Sequence, residues 1–145
     1  MTGMQTSWDK RFIELAHLVA TWSKDPSTKV GSVIVDDKRR VLAMGYNGFP
    51  RGVTDSEERY GDRDEKYPRV VHAELNAILN ATRRIEGCSL YCTMHPCAEC
   101  AKAIIQVGIR DVYVPIESVP TRWSESLLVS GSMLVEAGVR VHRVH

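Results

Sequence analysis

The sequence lacks the features that mark membrane-spanning, exported or generally nucleic-acid-binding proteins. No apolar run approaches the length of a membrane span, and the N-terminus shows no signal-peptide pattern of charged, apolar and small residues. The formal net charge is only +1, which excludes a generally basic protein although it leaves room for local basic patches. We therefore expect a cytoplasmic protein that binds neither membrane nor nucleic acid.

Internal repeats, low-complexity tracts and linkers rich in proline, glycine or serine are also lacking. The 145 residues suffice to bury one hydrophobic core but are too few for two domains. With 43% apolar and 26% charged residues, the composition is that of a globular protein rather than a disordered one. The prediction is a single domain over residues 1–145.

Cysteine is scarce, and all cysteine residues of the sequence lie between positions 88 and 100. The four are Cys88, Cys92, Cys97 and Cys100. In a reducing compartment such clustering favours metal ligation or burial over disulfide formation. Cys88 and Cys92 lie along a predicted strand with Leu90, a pattern that favours burial in the core.

Hydrophobic periodicity and turn signals predict the element order α-β-β-α-β-α-β-α-β. The predicted helices span 7–23, with Ser7 as N-cap, 72–84, 97–107 and 124–137, and the predicted strands span 29–35, 40–46, 89–92, 111–114 and 140–144. Residues 47–69 are polar and are predicted to form a long loop.

A hairpin followed by three strands that alternate with helices predicts an α/β fold of three α-β-α layers. The sheet would be mixed and five-stranded, with helices on both faces. Right-handed crossovers would place the N-termini of the second and third helices at one edge of that sheet.

The pair Cys97 and Cys100 stands at the predicted start of the third helix. Residues three apart lie on one helix face, so both sulfurs can reach one ion. A helix N-terminus also favours the thiolate, which is the form that binds metals. Taken alone, the pattern fits a redox pair or half of a structural zinc site equally well.

His72 and Glu74 begin the second predicted helix. Taken alone, His72 is an ordinary core or surface residue, and Glu74 is a favourable charge at a helix N-terminus. Together with Pro96, Cys97 and Cys100 they complete the pattern of zinc deaminases, His-x-Glu followed by Pro-Cys-x-x-Cys. The sequence therefore predicts a zinc ion held by His72, Cys97 and Cys100.

Three protein ligands leave the fourth tetrahedral position open, which is typical of catalytic rather than structural zinc. A structural site would need a fourth ligand, for which Cys88, Cys92 and His95 are available, but we expect the cysteines in the core and His95 in a loop. Glu74 is predicted to shuttle protons between the substrate and water, whose pKa zinc lowers to about 7. Backbone N–H groups at the start of the third helix are expected to stabilise negative charge.

With these residues in place, nearly the whole chain resembles the deoxycytidylate deaminases of the cytidine deaminase superfamily. The matching blocks are 23–26, 30–31, 45–50, 72–78, 96–102 and 104–109. The resemblance implies the cytidine deaminase-like fold and zinc-dependent hydrolysis of dCMP to dUMP, with release of ammonia and supply of dUMP for thymidylate synthesis. It also implies a homo-oligomer, commonly a hexamer.

The same resemblance implies binding roles for individual residues. Asn47 would contact the deoxyribose, and the backbone of Ala73 would meet the pyrimidine edge. Activation by dCTP and inhibition by dTTP are implied through a segment formed by Gly45, Tyr46, Asn47 and Gly48. Because Asn-Gly is a strong turn former, this tetrapeptide fits a strand-ending turn equally well.

Residues 115–123 depart from the tyrosine-bearing stretch that helps hold nucleotide in the relatives. Trp123 or Arg122 would substitute for it, although Trp123 also fits as an anchor of the last helix. We take Lys29 and Trp123 as substrate-binding residues. The cations that are candidates for the phosphate are Lys29, Arg51, Lys66, Arg69 and Arg122.

Three alternatives stand beside dCMP deamination. The first is a dual dCMP and dCTP deaminase. The second is a deaminase of another nucleoside or of RNA, such as a tRNA adenosine deaminase, which the near-neutral charge disfavours. The third is a non-catalytic zinc module, which has no use for an unliganded Glu74 beside the metal.

Overall fold

The computed structural model describes residues 6–145. The helices are α1 (Ser7–Ala20), α2 (Glu57–Gly61), α3 (Arg63–Lys66), α4 (Ala73–Asn80), α5 (Ala98–Gln106) and α6 (Glu125–Glu136). The strands are β1 (Gly31–Val35), β2 (Val41–Tyr46), β3 (Ser89–Cys92), β4 (Asp111–Pro115) and β5 (Arg140–Val144), and a 3₁₀ turn covers Ile116–Ser118.

The five strands form one mixed sheet in the order β2-β1-β3-β4-β5. Strand β1 pairs antiparallel with β2 and with β3, whereas β3, β4 and β5 run parallel to one another. The parallel strands are joined by α5 and α6, as crossover connections require. The predicted mixed five-stranded sheet is confirmed.

Alternation along the strands divides the core between the two sheet faces. Val33 packs with Phe12 of α1 and with Tyr91 on one face. Its neighbour Ile34 packs on the other face, in a cluster with Leu90 and with residues of α4, α5 and α6. Helices therefore cover both faces, as predicted.

Two glycines let a helix approach each face of the hairpin closely. A Cβ atom on Gly31 would collide with the Ala16 carbonyl oxygen of α1. A Cβ atom on Gly45 would collide with the Ala73 carbonyl oxygen and the Ala77 nitrogen of α4. Glycine at position 45 thus sets how near α4 lies to the sheet.

The structure corrects several predicted boundaries. Helix α1 ends at Ala20 rather than at 23, and β1 begins at Gly31 rather than at 29. The N-cap of α1 is Thr6 rather than Ser7, in a capping box with Asp9. The predicted loop 47–69 contains the short helices α2 and α3, whose N-caps are Ser56 and Asp62. Helix α4 ends at Asn80 rather than near 84, because the chain turns extended at Ala81 and carries Ile85 into the core.

Within residues 6–145, no helix is both long and apolar enough to span a bilayer.

Candidate active site

The N-termini of α4 and α5 bring together the residues of the predicted metal site. His72 is the N-cap of α4 and Cys97 is the N-cap of α5, and neither side chain makes a capping hydrogen bond. Their side chains instead face each other, with 3.3 Å between Cys97 Sγ and His72 Nδ1. Cys100 Sγ lies 3.4 Å from the same nitrogen.

The geometry of this group fits a zinc ion. The potential ligand atoms of His72, Cys97 and Cys100 all lie within 4.8 Å of one another. Zinc–sulfur and zinc–nitrogen bonds at a tetrahedral angle place the two ligand atoms about 3.6 Å apart, close to the observed separations. Two sulfurs and one imidazole form a donor set typical of catalytic zinc sites with an open fourth position.

The pKa values of the two thiols, Cys97 and Cys100, are shifted in opposite directions. The pKa of Cys97 is lowered to about 3, first by the hydrogen bond with Cys100 and further by His72. The pKa of Cys100 is raised, because it shares that hydrogen bond with the Cys97 thiolate and is buried. A second thiolate beside the first is costly unless a cation lies between the sulfurs. The pair is therefore suited to a divalent ion.

Glu74 lies beside the sulfurs but contributes no atom to the potential ligand group. Only 4% of its surface is exposed. Burial is the main cause of a raised Glu74 pKa, and hydrogen bonds and the neighbouring His72 act against it. A buried carboxyl that is not itself a ligand is the arrangement predicted for a proton shuttle.

Cys92 lies beside this site, in a position that was not predicted from the sequence pattern. The thiol is completely buried, and burial raises its pKa well above the ordinary value, so it stays protonated. The neighbouring Glu74 carboxyl also contributes to this raised pKa. Cys92 occupies the core as predicted and also lies near the candidate proton shuttle. The only sequence feature that could have indicated this position is that Cys92 is the last residue of β3.

The candidate metal ligands His72 and Cys97, together with Glu74, lie at a cavity of about 330 Å³. His72, Ala73, Glu74 and Cys97 lie at one part of its wall. The remaining lining residues are Asp25, Ser27, Thr28, Val30, Asn47, Lys66, Tyr67, Val70, Met94, His95 and Leu127. A larger groove of about 1020 Å³ runs along α1 and β5, but its lining includes neither Glu74 nor the three potential metal ligands.

Of the predicted substrate-binding residues, Asn47 and Ala73 line the cavity. The Asn47 amide is already engaged, since its oxygen accepts the Val30 N–H at 2.8 Å and its nitrogen donates to the Thr28 carbonyl at 2.9 Å. It therefore organises the 25–30 loop at the cavity wall, and its contact with a sugar stays a prediction.

The structure does not bring Lys29 or Trp123 into this cavity lining. The Lys29 ammonium donates to the Ser23 carbonyl oxygen. Trp123 lies edge-on to His95, with ring centroids 5.2 Å apart, and lines the larger groove. Among the cations nominated for a phosphate, Lys66 does line the cavity, where its ammonium bonds Asp25 and Ser27.

The predicted effector segment is divided between buried and exposed residues. Gly45 is buried under α4, whereas 42% of Tyr46 is exposed. Gly48 forms an isolated bridge with Val71, through backbone hydrogen bonds of 3.1 Å and 2.8 Å. The segment is therefore joined directly to the residue that precedes His72, and effector binding there stays a prediction.

One of the backbone donors expected to stabilise negative charge is already used. The Ala98 N–H at the start of α5 donates to Ser126 Oγ of α6 at 3.0 Å. No sequence pattern indicated this contact, because the two residues are far apart in the chain. The Ala98 N–H is therefore engaged by the protein itself, and the stabilising role expected of the N–H groups at this helix start stays a prediction.

Comparison with known proteins identifies the family. Residues 6–116 match the family model of the cytidine and deoxycytidylate deaminase zinc-binding region. The chain belongs to the cytidine and deoxycytidylate deaminase family. This assignment confirms the family, the fold and the class of hydrolytic deaminases expected from the motif.

Two relatives and one solved structure show how far the similarity extends. The uncharacterized deaminase in the luxG 3′ region of Aliivibrio fischeri is 48% identical over 140 residues, covering 95% of this chain and 94% of that protein. The deoxycytidylate deaminase of Homo sapiens is 44% identical over 72% of this chain, which spans 62% of the human protein's length.

The crystal structure of the dCMP deaminase from the cyanophage S-TIM5, in complex with dCMP and dUMP, superposes with a TM-score of 0.81. That match covers 98% of this chain and 100% of the phage chain, at 29% identity. The predicted cytidine deaminase-like fold therefore holds along almost the whole chain.

Proposed function

We propose that this chain hydrolyses dCMP to dUMP and ammonia, using zinc held by His72, Cys97 and Cys100. The observation that carries the proposal is the meeting of these three side chains with the buried Glu74 at one cavity. The human relative and the phage structure, whose names specify deoxycytidylate and dCMP, support the choice of substrate.

Zinc in a site with three protein ligands lowers the pKa of water to about 7 and so supplies a nucleophile at neutral pH. Glu74 would accept a proton from the attacking water and pass it to the pyrimidine ring nitrogen, while the water oxygen bonds to the adjacent ring carbon that carries the amine. The same carboxyl would then take the remaining proton from the new hydroxyl group and give it to the amine, so that the carbon–nitrogen bond breaks, ammonia leaves and the hydroxyl oxygen becomes the carbonyl oxygen of dUMP. The buried Cys92 thiol, whose pKa Glu74 helps to raise, would border the Glu74 carboxyl during these transfers.

The cavity lining also supports a nucleotide, because the apolar Val70, Met94 and Leu127 suit a base or sugar face. The Lys66 ammonium on the same wall is already bonded to Asp25 and Ser27, and Asn47 organises the same loop. Since Asp25 balances its charge, contact of Lys66 with a phosphate stays a prediction.

Several predicted properties belong to the same proposal. These are the supply of dUMP for thymidylate synthesis, activation by dCTP and inhibition by dTTP, the hexamer and the cytoplasmic location. They stay predictions.

The test is a substrate panel on the zinc-loaded chain, with ammonia and deaminated product both measured. The panel contains dCMP, dCTP, CMP, deoxycytidine and a tRNA anticodon stem-loop. We expect dCMP to give the highest kcat/KM and the stem-loop to give no product. Deamination of the stem-loop alone, or ammonia release from none of the five, would overturn the proposal. Equal rates on dCMP and dCTP would favour the dual deaminase.

A further inference from the structure

Helix α5 begins with an unusual N-cap, because the residue in that position is the potential metal ligand Cys97. An N-cap side chain ordinarily accepts a hydrogen bond from a backbone N–H in the first turn of its helix. The Cys97 sulfur instead faces His72, so it makes no capping bond. The start of α5 therefore needs a partner from elsewhere in the chain.

Helix α6 supplies that partner on both sides of Cys97. Ser126 Oγ accepts the Ala98 N–H at 3.0 Å, directly after the cysteine. Ser130 Oγ donates to the Pro96 carbonyl oxygen at 2.7 Å, directly before it, and this oxygen also lies 3.1 Å from His95 Nδ1. The two serines are four residues apart and so lie on one face of α6.

Helix α6 does not need the hydrogen bonds of Ser126 and Ser130 to cap its own start. Its own N-cap is Ser124, whose side chain accepts the Leu127 N–H at 3.2 Å. A serine inside a helix ordinarily points to solvent or bonds a carbonyl of the preceding turn. Ser130 is fully buried and reaches the Pro96 loop instead. Both serines thus act on the segment that carries Cys97.

We propose that Ser126 and Ser130 are positioning residues for the Cys97 ligand. By fixing the peptide groups before and after Cys97, they aim its sulfur at His72 before the metal binds. The inference rests on the proposed function, because it assumes that this sulfur is a metal ligand. Partners that orient metal ligands in this way typically raise metal affinity by about 10- to 100-fold.

The experiment compares Ser126→Ala and Ser130→Ala with Ser132→Ala, which removes an exposed hydroxyl from the same helix. Zinc affinity is measured on each full chain by competition with a chromophoric chelator, and the absorption spectrum of each cobalt-substituted protein reports the ligand geometry. We expect zinc binding about 10- to 100-fold weaker in the first two variants, with altered cobalt bands. Ser132→Ala should match the wild type, and Ser126→Thr should restore affinity because it retains the hydroxyl.

A purely structural role gives a different result. In that case the serine variants would lower the melting temperature of the metal-free chain but keep the wild-type zinc affinity and cobalt spectrum, and the proposal would be overturned. Because Ser126 is exposed, Ser126→Ala carries the test even if Ser130→Ala fails to fold. If the wild-type chain binds no zinc, the proposed function fails together with the positioning role. If it binds zinc and both serine variants bind equally well, only the positioning role fails.

Discussion

The ammonium of Lys66 lies 2.8 Å from a carboxylate oxygen of Asp25, in a pair whose side chains are 12% and 1% exposed, respectively. Asp25 also accepts the backbone N–H groups of Ser27 and Thr28, so one carboxylate ties α3 to the loop before β1. These two segments form one wall of the active-site cavity. The pair therefore supports the shape of the site as well as the fold.

Replacing Lys66 with a neutral residue should leave the buried Asp25 carboxylate without its partner. We expect Lys66→Met to lower the free energy of unfolding by about 3–5 kcal/mol, the usual cost of removing one partner of a buried ion pair. The matched control is Lys102→Met, which breaks an exposed pair with Glu99 and should cost less than about 1 kcal/mol. Urea denaturation of the three proteins measures both changes. Equal losses from the two variants would show that the Asp25 pair has no special role.

Asp25 should also make the free energy of unfolding depend on pH. Burial acts to raise the pKa of Asp25, but hydrogen bonds from Lys66, Ser27 and Thr28 prevail and hold it below its ordinary value of 3.8. The stabilisation that the ionised Asp25 gives to the folded protein is therefore fully present above the pKa of an aspartate in the unfolded chain, about 3.9. This stabilisation is lost as the pH falls through the lower pKa that Asp25 has in the folded protein. The wild type should exceed Asp25→Asn in unfolding free energy at pH 7, and the gap should close below about pH 4. Denaturation series from pH 7 to pH 3 check this, and a gap that does not change with pH would contradict it.

Glycine at position 45 should be required for the distance between α4 and the sheet. In Gly45→Ala the new methyl group would overlap backbone atoms of Ala73 and Ala77, and overpacking of this kind costs about 1–3 kcal/mol. Because α4 begins beside His72 and carries Glu74, turnover should fall as well. The control is Gly131→Ala in α6, where nothing lies within 4 Å of the new Cβ and the change should stabilise by about 0.5–1 kcal/mol. A Gly45→Ala protein as stable and active as the wild type would refute the close approach.

Glu74 should be needed for catalysis but not for metal binding. Glu74→Gln preserves the size of the side chain and removes its ability to take a proton, so we expect zinc content to be retained and kcat to fall about 10²- to 10⁴-fold. Glu99→Gln makes the same chemical change on the exposed side of α5 and should be fully active. Metal analysis together with an ammonia assay distinguishes these outcomes. Normal ammonia release by Glu74→Gln would rule out the proposed proton shuttle.

The meeting of His72, Glu74, Cys97 and Cys100 could be predicted because the information for it is local. Two short motifs place His72 and Glu74 at one helix start and Cys97 and Cys100 at another, and the strand order brings the two helix starts together. The serines of α6 could not be predicted in this way. Ser126 and Ser130 reach residues 28 and 34 positions earlier in the chain, and no spacing rule encodes contacts at that range.

The helices α2 and α3 were missed for a different reason. With five and four residues they are too short to show hydrophobic periodicity, and they are held by the side-chain caps Ser56 and Asp62. The early end of α4 reflects burial of Ile85, which outweighs the helical propensity of the intervening residues. In both cases tertiary contacts decide the local structure.

The bridge between Gly48 and Val71 has a consequence for how the metal site comes apart. Two backbone hydrogen bonds are all that this bridge contributes, and it stands next to His72. Opening of this bridge would loosen the chain directly before His72 while β1, β3 and β4 stayed paired, so we predict that release of the proposed zinc ion needs a local unfolding event rather than denaturation of the domain. The lifetime of the bound metal would then follow the protection of the Gly48 and Val71 amides against hydrogen exchange.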